Sequence, residues 1–233
     1  MRTCAIMCAY NETPKKGYNS LLENSVNSII NCIDQRRLSD AVIVNDGSTD
    51  DTYNFIEERI RKHPEIKLIG HRENMGKAKA FLTGLKNCSL DETDTLVTLD
   101  ADMENFTPEH LSTLTSLINP YIDMSIGLYN HLNSNKPLPI EASIYSGLRA
   151  IKMKALNGIY NPGHQEYDRY EKYFGYKLPY QGYRLEKILE SIVPNKKKAI
   201  ILLNGLCLRR AGEGPYDLNE ITDGVLSFYS LTV

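Results

Sequence analysis

Thr95-Leu96-Val97-Thr98-Leu99-Asp100-Ala101-Asp102 is an apolar run that ends in two carboxylates, one residue apart. Residues i and i+2 of an extended strand point to the same side. Asp100 and Asp102 are therefore placed to converge on one divalent cation where the strand opens into a loop. A hard cation held by only one or two carboxylates keeps coordination positions for substrate phosphates. A second acidic turn lies upstream, Val44-Asn45-Asp46-Gly47-Ser48-Thr49-Asp50, again directly after an apolar run. Two such turns in one chain raise the reading from a solvated strand end to a shared site.

Working outward, the first half alternates strand and helix patterns. Residues 3–9 form a short apolar run, and Leu21, Leu22, Val26, Ile29, Ile30 and Ile33 recur with helical spacing. Residues 41–44 and 66–69 read as strands. Ser48 and Thr49 before Asp50 and Asp51 form a helix-start signature, and Phe55, Ile56 and Ile60 give that helix its apolar face. Residues 76–85 read as a helix, 95–99 as a strand, 108–118 as a helix opened by Pro108, and 124–128 as a strand. Strands separated by helices of this length imply right-handed crossovers and a mostly parallel sheet. Ligands of such sheets sit beyond the carboxyl ends of the strands. Tyr10-Asn11-Glu12, Asp46-Gly47, Glu73-Asn74 and Asp100-Ala101-Asp102 all fall at such ends.

After residue 129 the alternation is lost. Residues 130–140 read as a polar loop, 142–159 as a helix, 183–193 as a helix, 199–203 as a strand and the tail from Leu218 as helical. Tyr167, Tyr170, Tyr173 and Tyr176 form a stripe in a segment broken by Pro and Gly. No low-complexity linker separates the halves. The expected organisation is one domain, 1–233, with an alternating half, 1–128, and an elaborated half, 129–233.

Composition sets the outer limits. A length of 233 residues suits one large domain with a sizeable core. Hydrophobic content of 42% and charged content of 24% are those of an ordinary globular protein, and a net charge of −2 gives no reason to expect a nucleic acid partner. The five cysteines are odd in number and scattered, without zinc-ligand spacing, which points to reduced thiols and a cytoplasmic setting. No apolar stretch approaches the ~20 residues needed to cross a bilayer. Contact with a membrane would then be peripheral. The five histidines show neither metal spacing nor a paired nucleophile and are assigned no chemistry.

Ala9-Tyr10-Asn11-Glu12, the 44–50 turn, Asn74-Met75-Gly76-Lys77-Ala78-Lys79-Ala80 and Leu99-Asp100-Ala101-Asp102, in this order and spacing, resemble family 2 glycosyltransferases of the GT-A fold. The resemblance covers residues 1–128. It implies an α/β, Rossmann-like, mostly parallel sheet flanked by helices, with a C-terminal elaboration on the acceptor side. It further implies a metal-dependent enzyme that moves a sugar from a nucleoside-diphosphate donor with inversion. On that resemblance Ala9, Tyr10, Glu12, Asp46, Gly47, Lys77, Asp100 and Ala101 line the nucleotide-sugar site, with Asp46 touching base or ribose. Asp100, Asp102 and Glu104 are the expected ligands of Mg²⁺ or Mn²⁺. Cys8 stands where members of the family commonly carry proline.

In the second half, Tyr145-Ser146-Gly147-Leu148-Arg149-Ala150 is similar to a segment of polyprenyl-phosphate-sugar synthases within the family, which makes Gly147 and Arg149 acceptor-binding candidates. Glu186 falls where the family often has a carboxylate facing the acceptor, so Glu186, with Asp102, is the catalytic candidate. Arg209-Arg210-Ala211-Gly212-Glu213-Gly214 departs from the Ser-Lys ending of a related lipid-phosphate element. The expected acceptor is therefore a hydroxyl of a saccharide-type compound, deprotonated by Glu186, with a lipid phosphate as the alternative. A nucleotidyltransferase, a non-catalytic nucleotide-sugar-binding protein and a retaining enzyme are the remaining alternatives.

Overall fold

The apolar runs read from the sequence become strands of one eight-stranded sheet. The computed structural model describes residues 2–13, 21–131, 146–160, 165 and 184–208. In chain order these hold β1 (Thr3–Ala9), α1 (Leu21–Asp34), β2 (Asp40–Asn45), α2 (Thr52–Ile60), β3 (Ile66–Gly70), α3 (Lys77–Asn87), β4 (Thr95–Asp100), β5 (Met103–Glu104) and α4 (Pro108–Ser116). They continue with β6 (Met124–His131), β7 (Arg149–Lys152), α5 (Asn157–Tyr160), α6 (Arg184–Ile192) and β8 (Lys198–Leu208). The tyrosine stripe, the 209–214 element, the tail from Leu218 and loop residues 132–140 lie outside the described residues.

The strand order is β3-β2-β1-β4-β7-β6-β8-β5. The first four strands are mutually parallel, with Ala9 opposite Asn45 and Cys8 opposite Asp100. From β1 the chain steps outward through β2 and β3, then returns to place β4 on the other side of β1. That reversal makes the crevice between β1 and β4 the topological switch point, where ligands of open α/β sheets bind. The loops bearing Glu12 and Asp102 flank it.

Alternation along each strand feeds two cores. Ala5, Met7 and Ala9 with Ile43, Val97 and Leu99 pack under α1, α2 and α4. Ile6 and Leu96 with Ile126 and Ile151 pack under Phe81 and Leu85 of α3 and Leu185, Ile188 and Leu189 of α6. The apolar face of α1 carries two serines that serve the site. Ser25 Oγ accepts the Met103 amide at 3.1 Å, and Ser28 Oγ donates to the Phe106 carbonyl at 2.8 Å, so α1 anchors the segment that follows Asp102. Thr107 caps α4 in a reciprocal pair with His110, ahead of Pro108 at the first helical position.

Two sequence expectations are corrected here. Residues 149–152, read as part of a helix over 142–159, are the strand β7, antiparallel to both β4 and β6. Leu148 to Met153 has no strong period, and helix-tolerant residues such as Ala150 and Met153 go wherever tertiary pairing needs them. The vacant edges of β4 and β6 supply that need. The helix expected to start at Ser48 begins at Thr52, and its N-cap Asp51 makes no side-chain cap. Ser48 and Asp50 are used elsewhere, as the site shows.

At the amino ends of β6 and β8 a buried carboxylate, Asp123, gathers three lysines. Lys152 and Lys197 reach it at 2.8 and 2.9 Å and Lys154 at 3.5 Å. Burial alone would raise its carboxyl, but the lysines outweigh burial and hold it down to about 2. Its ionised form is thus favoured by folding. The stabilisation is fully present above the ordinary carboxyl value near 3.8 and is lost as pH falls toward about 2. Asp123→Asn is expected to cost about 2–4 kcal/mol at pH 7 by leaving the lysines facing one another, with the difference from wild type shrinking below pH 3. Urea denaturation at pH 7 and pH 2.5 measures both.

Candidate active site

The loop after β1 and the turn after β2 are clipped together by their own polar residues. The Asn11 amide donates to Ser48 Oγ at 2.9 Å, and Asn11 Oδ1 accepts the Thr49 amide at 2.8 Å. The Glu12 amide donates to Thr52 Oγ1 at 2.9 Å and the Thr13 amide to Asp50 Oδ2 at 3.0 Å. Asn11 takes a left-handed backbone, φ 54°, which asparagine tolerates better than most residues. The run Ser48-Thr49-Asp50 therefore spends its side chains on fixing the loop that carries Tyr10 and Glu12. Tyr10 stays 41% exposed beside the buried Ala9.

Asp46, expected to touch a base or ribose, is 3% exposed, and both its carboxylate oxygens are engaged by the protein. Oδ1 accepts the Met75 amide at 3.0 Å and lies 2.7 Å from His71 Nδ1, while Oδ2 accepts the Gly76 amide at 2.8 Å. Asp46 thus secures the turn that leads into α3. Gly47 stands beneath this turn at φ +69°, and a Cβ there would drive into the carbonyl carbon of Glu73. Only glycine allows both the backbone conformation and the approach.

α3 delivers Lys77. Its ammonium lies 2.6 Å from Asp100 Oδ1 and 2.5 Å from Glu186 Oε1. Burial would depress this lysine, but Asp100 and Glu186 reverse the effect and hold it well above the ordinary value. Glu186 lies in the first turn of α6 and is 1% exposed. Its Oε2 has no hydrogen-bond partner among the described residues. Gly147 passes so close to Asp100 that a Cβ would strike the carboxylate, and its carbonyl accepts Thr98 Oγ1 at 2.5 Å. Gly147 therefore belongs to the site through Asp100.

Arg149, read as a grip for an acceptor phosphate, is turned inward and 0% exposed. Its Nε donates to the Ser146 carbonyl at 2.9 Å and its Nη1 to Glu190 Oε2 at 3.0 Å. It occupies β7, paired with Thr98 of β4 and Ile126 of β6, so its side chain has only the protein interior to enter. This geometry makes it a structural cation.

Among the described residues no three His, Cys, Asp or Glu side chains form a ready-made metal cage. Glu104, expected as a third ligand, sits in β5 opposite Cys207. The acidic residues around the crevice nonetheless suit a hard cation that would be completed by phosphates. Glu12 is pushed up to about 7, first by burial and then by the charges of Asp102, Asp100 and Asp50. Such a concentration of negative potential at the switch point favours a cation there. His71 was missed from sequence because a lone histidine carries no spacing signal. Only the fold brings it onto Asp46.

Gly47→Ala is expected to destabilise the protein by about 2–4 kcal/mol, because strain at positive φ adds to the clash with Glu73. Thermal unfolding tests it. For Glu12, the folded state keeps its proton up to about pH 7 while the unfolded chain releases it near 4.5. Folded protein therefore binds more protons in that window, and this group's contribution to stability falls as pH rises through it. In chelator, Glu12→Gln is expected to gain stability relative to wild type between pH 5 and pH 7.5, read by urea denaturation at both.

Comparison with known proteins agrees with this architecture. Residues 4–175 match the sequence model of glycosyl transferase family 2. A dolichyl-phosphate beta-glucosyltransferase of Trichomonas vaginalis is 31% identical over 107 residues, which are 43% of this chain and 29% of that protein. A UDP-N-acetylglucosamine–dolichyl-phosphate N-acetylglucosaminyltransferase of Methanococcus voltae is 25% identical over 134 residues, 52% of this chain and 49% of the relative. The chain thus spans less than half the length of these two relatives. Among solved structures, the mannosyltransferase PcManGT of Pyrobaculum calidifontis, in complex with GDP-Man and Mn²⁺, superposes with TM-score 0.65 at 20% identity, covering 97% of this chain and 61% of that one. Glucosyl-3-phosphoglycerate synthase of Mycobacterium tuberculosis, with Mn²⁺ and UDP-glucose, superposes with TM-score 0.58 at 18% identity over 97% of this chain and 77% of that one. With residues 4–175, most of its length, matched by that family's sequence model, the chain belongs to glycosyl transferase family 2.

Proposed function

We propose that this glycosyltransferase moves a sugar from a nucleoside diphosphate to a phosphate group on its acceptor, with inversion at the anomeric carbon. The donor lies in the crevice between β1 and β4, over Ala9, Tyr10, Gly47 and Ala101, on the loops that Asn11 and Asp46 hold in place. Asp100 and Asp102 would hold Mg²⁺ or Mn²⁺. The bound ion would supply Lewis-acid neutralisation of the leaving diphosphate. Lys77 fixes one Asp100 oxygen and leaves the rest of that carboxylate for the ion. The complexes of the two structural neighbours with Mn²⁺ and a nucleotide sugar support this reading of the cleft.

The acceptor assignment rests on Glu186. A hydroxyl acceptor needs a general base within hydrogen-bond reach, and Glu186 was the base expected from sequence. In the structure it is enclosed, and its Oε1 is already held by the Lys77 ammonium at 2.5 Å. An acceptor phosphate is already an anion and needs no base. The two transferase relatives, both named for dolichyl phosphate, support the same class, with a polyprenyl phosphate as the substrate to try first. The hydroxyl alternative keeps one observation in its favour, the Oε2 of Glu186, which has no hydrogen-bond partner among the described residues. Among the described residues no helix is long and apolar enough to cross a membrane.

Two measurements test this. Asp102→Asn is expected to lower transfer by on the order of 10²-fold or more, while the circular dichroism spectrum stays that of wild type. The labelled product formed from polyprenyl phosphate is expected to release its sugar in mild acid, as a glycosyl phosphodiester does. An acid-stable product formed on a saccharide, with turnover removed by Glu186→Gln, would establish the hydroxyl reading instead.

A further inference from the structure

We propose that His71 is a positioning residue that locks the donor-side turn through Asp46. His71 follows β3, and its backbone amide donates to the Asn45 carbonyl at 2.9 Å. Its side chain, 9% exposed, bridges two elements. Nδ1 lies 2.7 Å from Asp46 Oδ1 and Nε2 lies 2.9 Å from Thr83 Oγ1 on α3. A carboxylate that already accepts the Met75 and Gly76 amides offers only lone pairs, so the hydrogen in the first contact sits on Nδ1. In the neutral ring Nε2 is then the acceptor for the Thr83 hydroxyl.

The consequence runs outward along bonds already described. Thr83 orients the ring, the ring orients Asp46, and Asp46 holds the amides of Met75 and Gly76. The next residue is Lys77, whose ammonium bridges Asp100 and Glu186. A histidine that touches neither donor nor acceptor thereby sets where α3 begins and where Lys77 points. With His71 gone, Asp46 loses its lateral support and the 73–76 turn loses its register over Gly47. The effect on catalysis rests on the reading of this cleft as the donor site, whereas the lock itself does not.

The lock is tested on the full chain in chelator by ¹⁵N NMR. In wild type the His71 ring is expected to show a protonated Nδ1 and a bare Nε2. Asparagine places an amide nitrogen near the position of Nδ1, whereas glutamine reaches toward that of Nε2. Hydrogen-exchange protection of the Met75 and Gly76 amides is therefore expected to fall about tenfold in His71→Gln and to return to within about threefold of wild type in His71→Asn. The apparent KM for the nucleotide sugar should follow the same order, rising about tenfold in the Gln variant with kcat within about twofold. A hydrogen on Nε2 with Nδ1 bare, or equal protection in the Gln and Asn variants, overturns the proposal. So does a transfer-competent His71→Gln whose KM equals that of wild type. Absence of transfer in wild type, with the ring and amide signatures intact, upholds the lock and removes only the reading of the cleft.

Discussion

One ammonium shared by two carboxylates joins the two halves of this chain. Lys77 comes from the start of α3, Asp100 from the end of β4, and Glu186 from the first turn of α6. Enclosed charges are tolerated only when paired, and removing one partner leaves the others uncompensated. The placement of α6 over α3 and the orientation of Asp100 are therefore one problem with one solution. Gly147 enters because any side chain there would displace Asp100, and β7 must then pass directly beside β4. The triad carries two negative groups against one positive, so it leaves negative potential at the switch point where a cation and a diphosphate would meet.

Around that triad the loops are held by hydrogen bonds between side chains and backbone. Asn11, Ser48, Thr49, Asp50 and Thr52 bind the β1 loop to the β2 turn, while Asp46 binds the β2 turn to the start of α3. Loops at the carboxyl end of a sheet have no ladder to satisfy their amides, so short polar side chains satisfy them instead. The same residue types that make an Asp-Gly-Ser-Thr-Asp turn recognisable are thus chiefly a scaffold. The face they leave toward the crevice is made of backbone, Tyr10 and the carboxylates. At the opposite end of the sheet, Asp123 with its lysines does the equivalent work for β6, β7 and β8.

The enclosed Glu186 and the enclosed Arg149 bear on the acceptor together. Each is a charged residue that family resemblance had offered to the substrate, and each is ion-paired within the fold, Arg149 to Glu190 and Glu186 to Lys77. A transferase whose base candidate is already ion-paired suits an acceptor that arrives charged. The two solved neighbours share its fold at 20% and 18% identity.

The sequence by itself determined the parallel half of the sheet, because burial on both faces makes β1, β2 and β4 nearly continuous apolar runs and the helices between them keep a clean period. It also determined that Glu12, Asp46, Asp100 and Asp102 share one end of that sheet, since strand ends in parallel crossovers must. Tertiary structure decided what each polar group faces. Residues 149–152 became a strand because β4 and β6 had open edges, where the local sequence carried no strong period of its own. His71, Lys77 and Glu186 acquired partners 25, 23 and 109 residues away along the chain, at separations where no local period carries information. Periodicity reports which side of an element is buried. It says nothing about which charge waits on the other side, and that pairing decides whether a carboxylate binds, supports or stays silent.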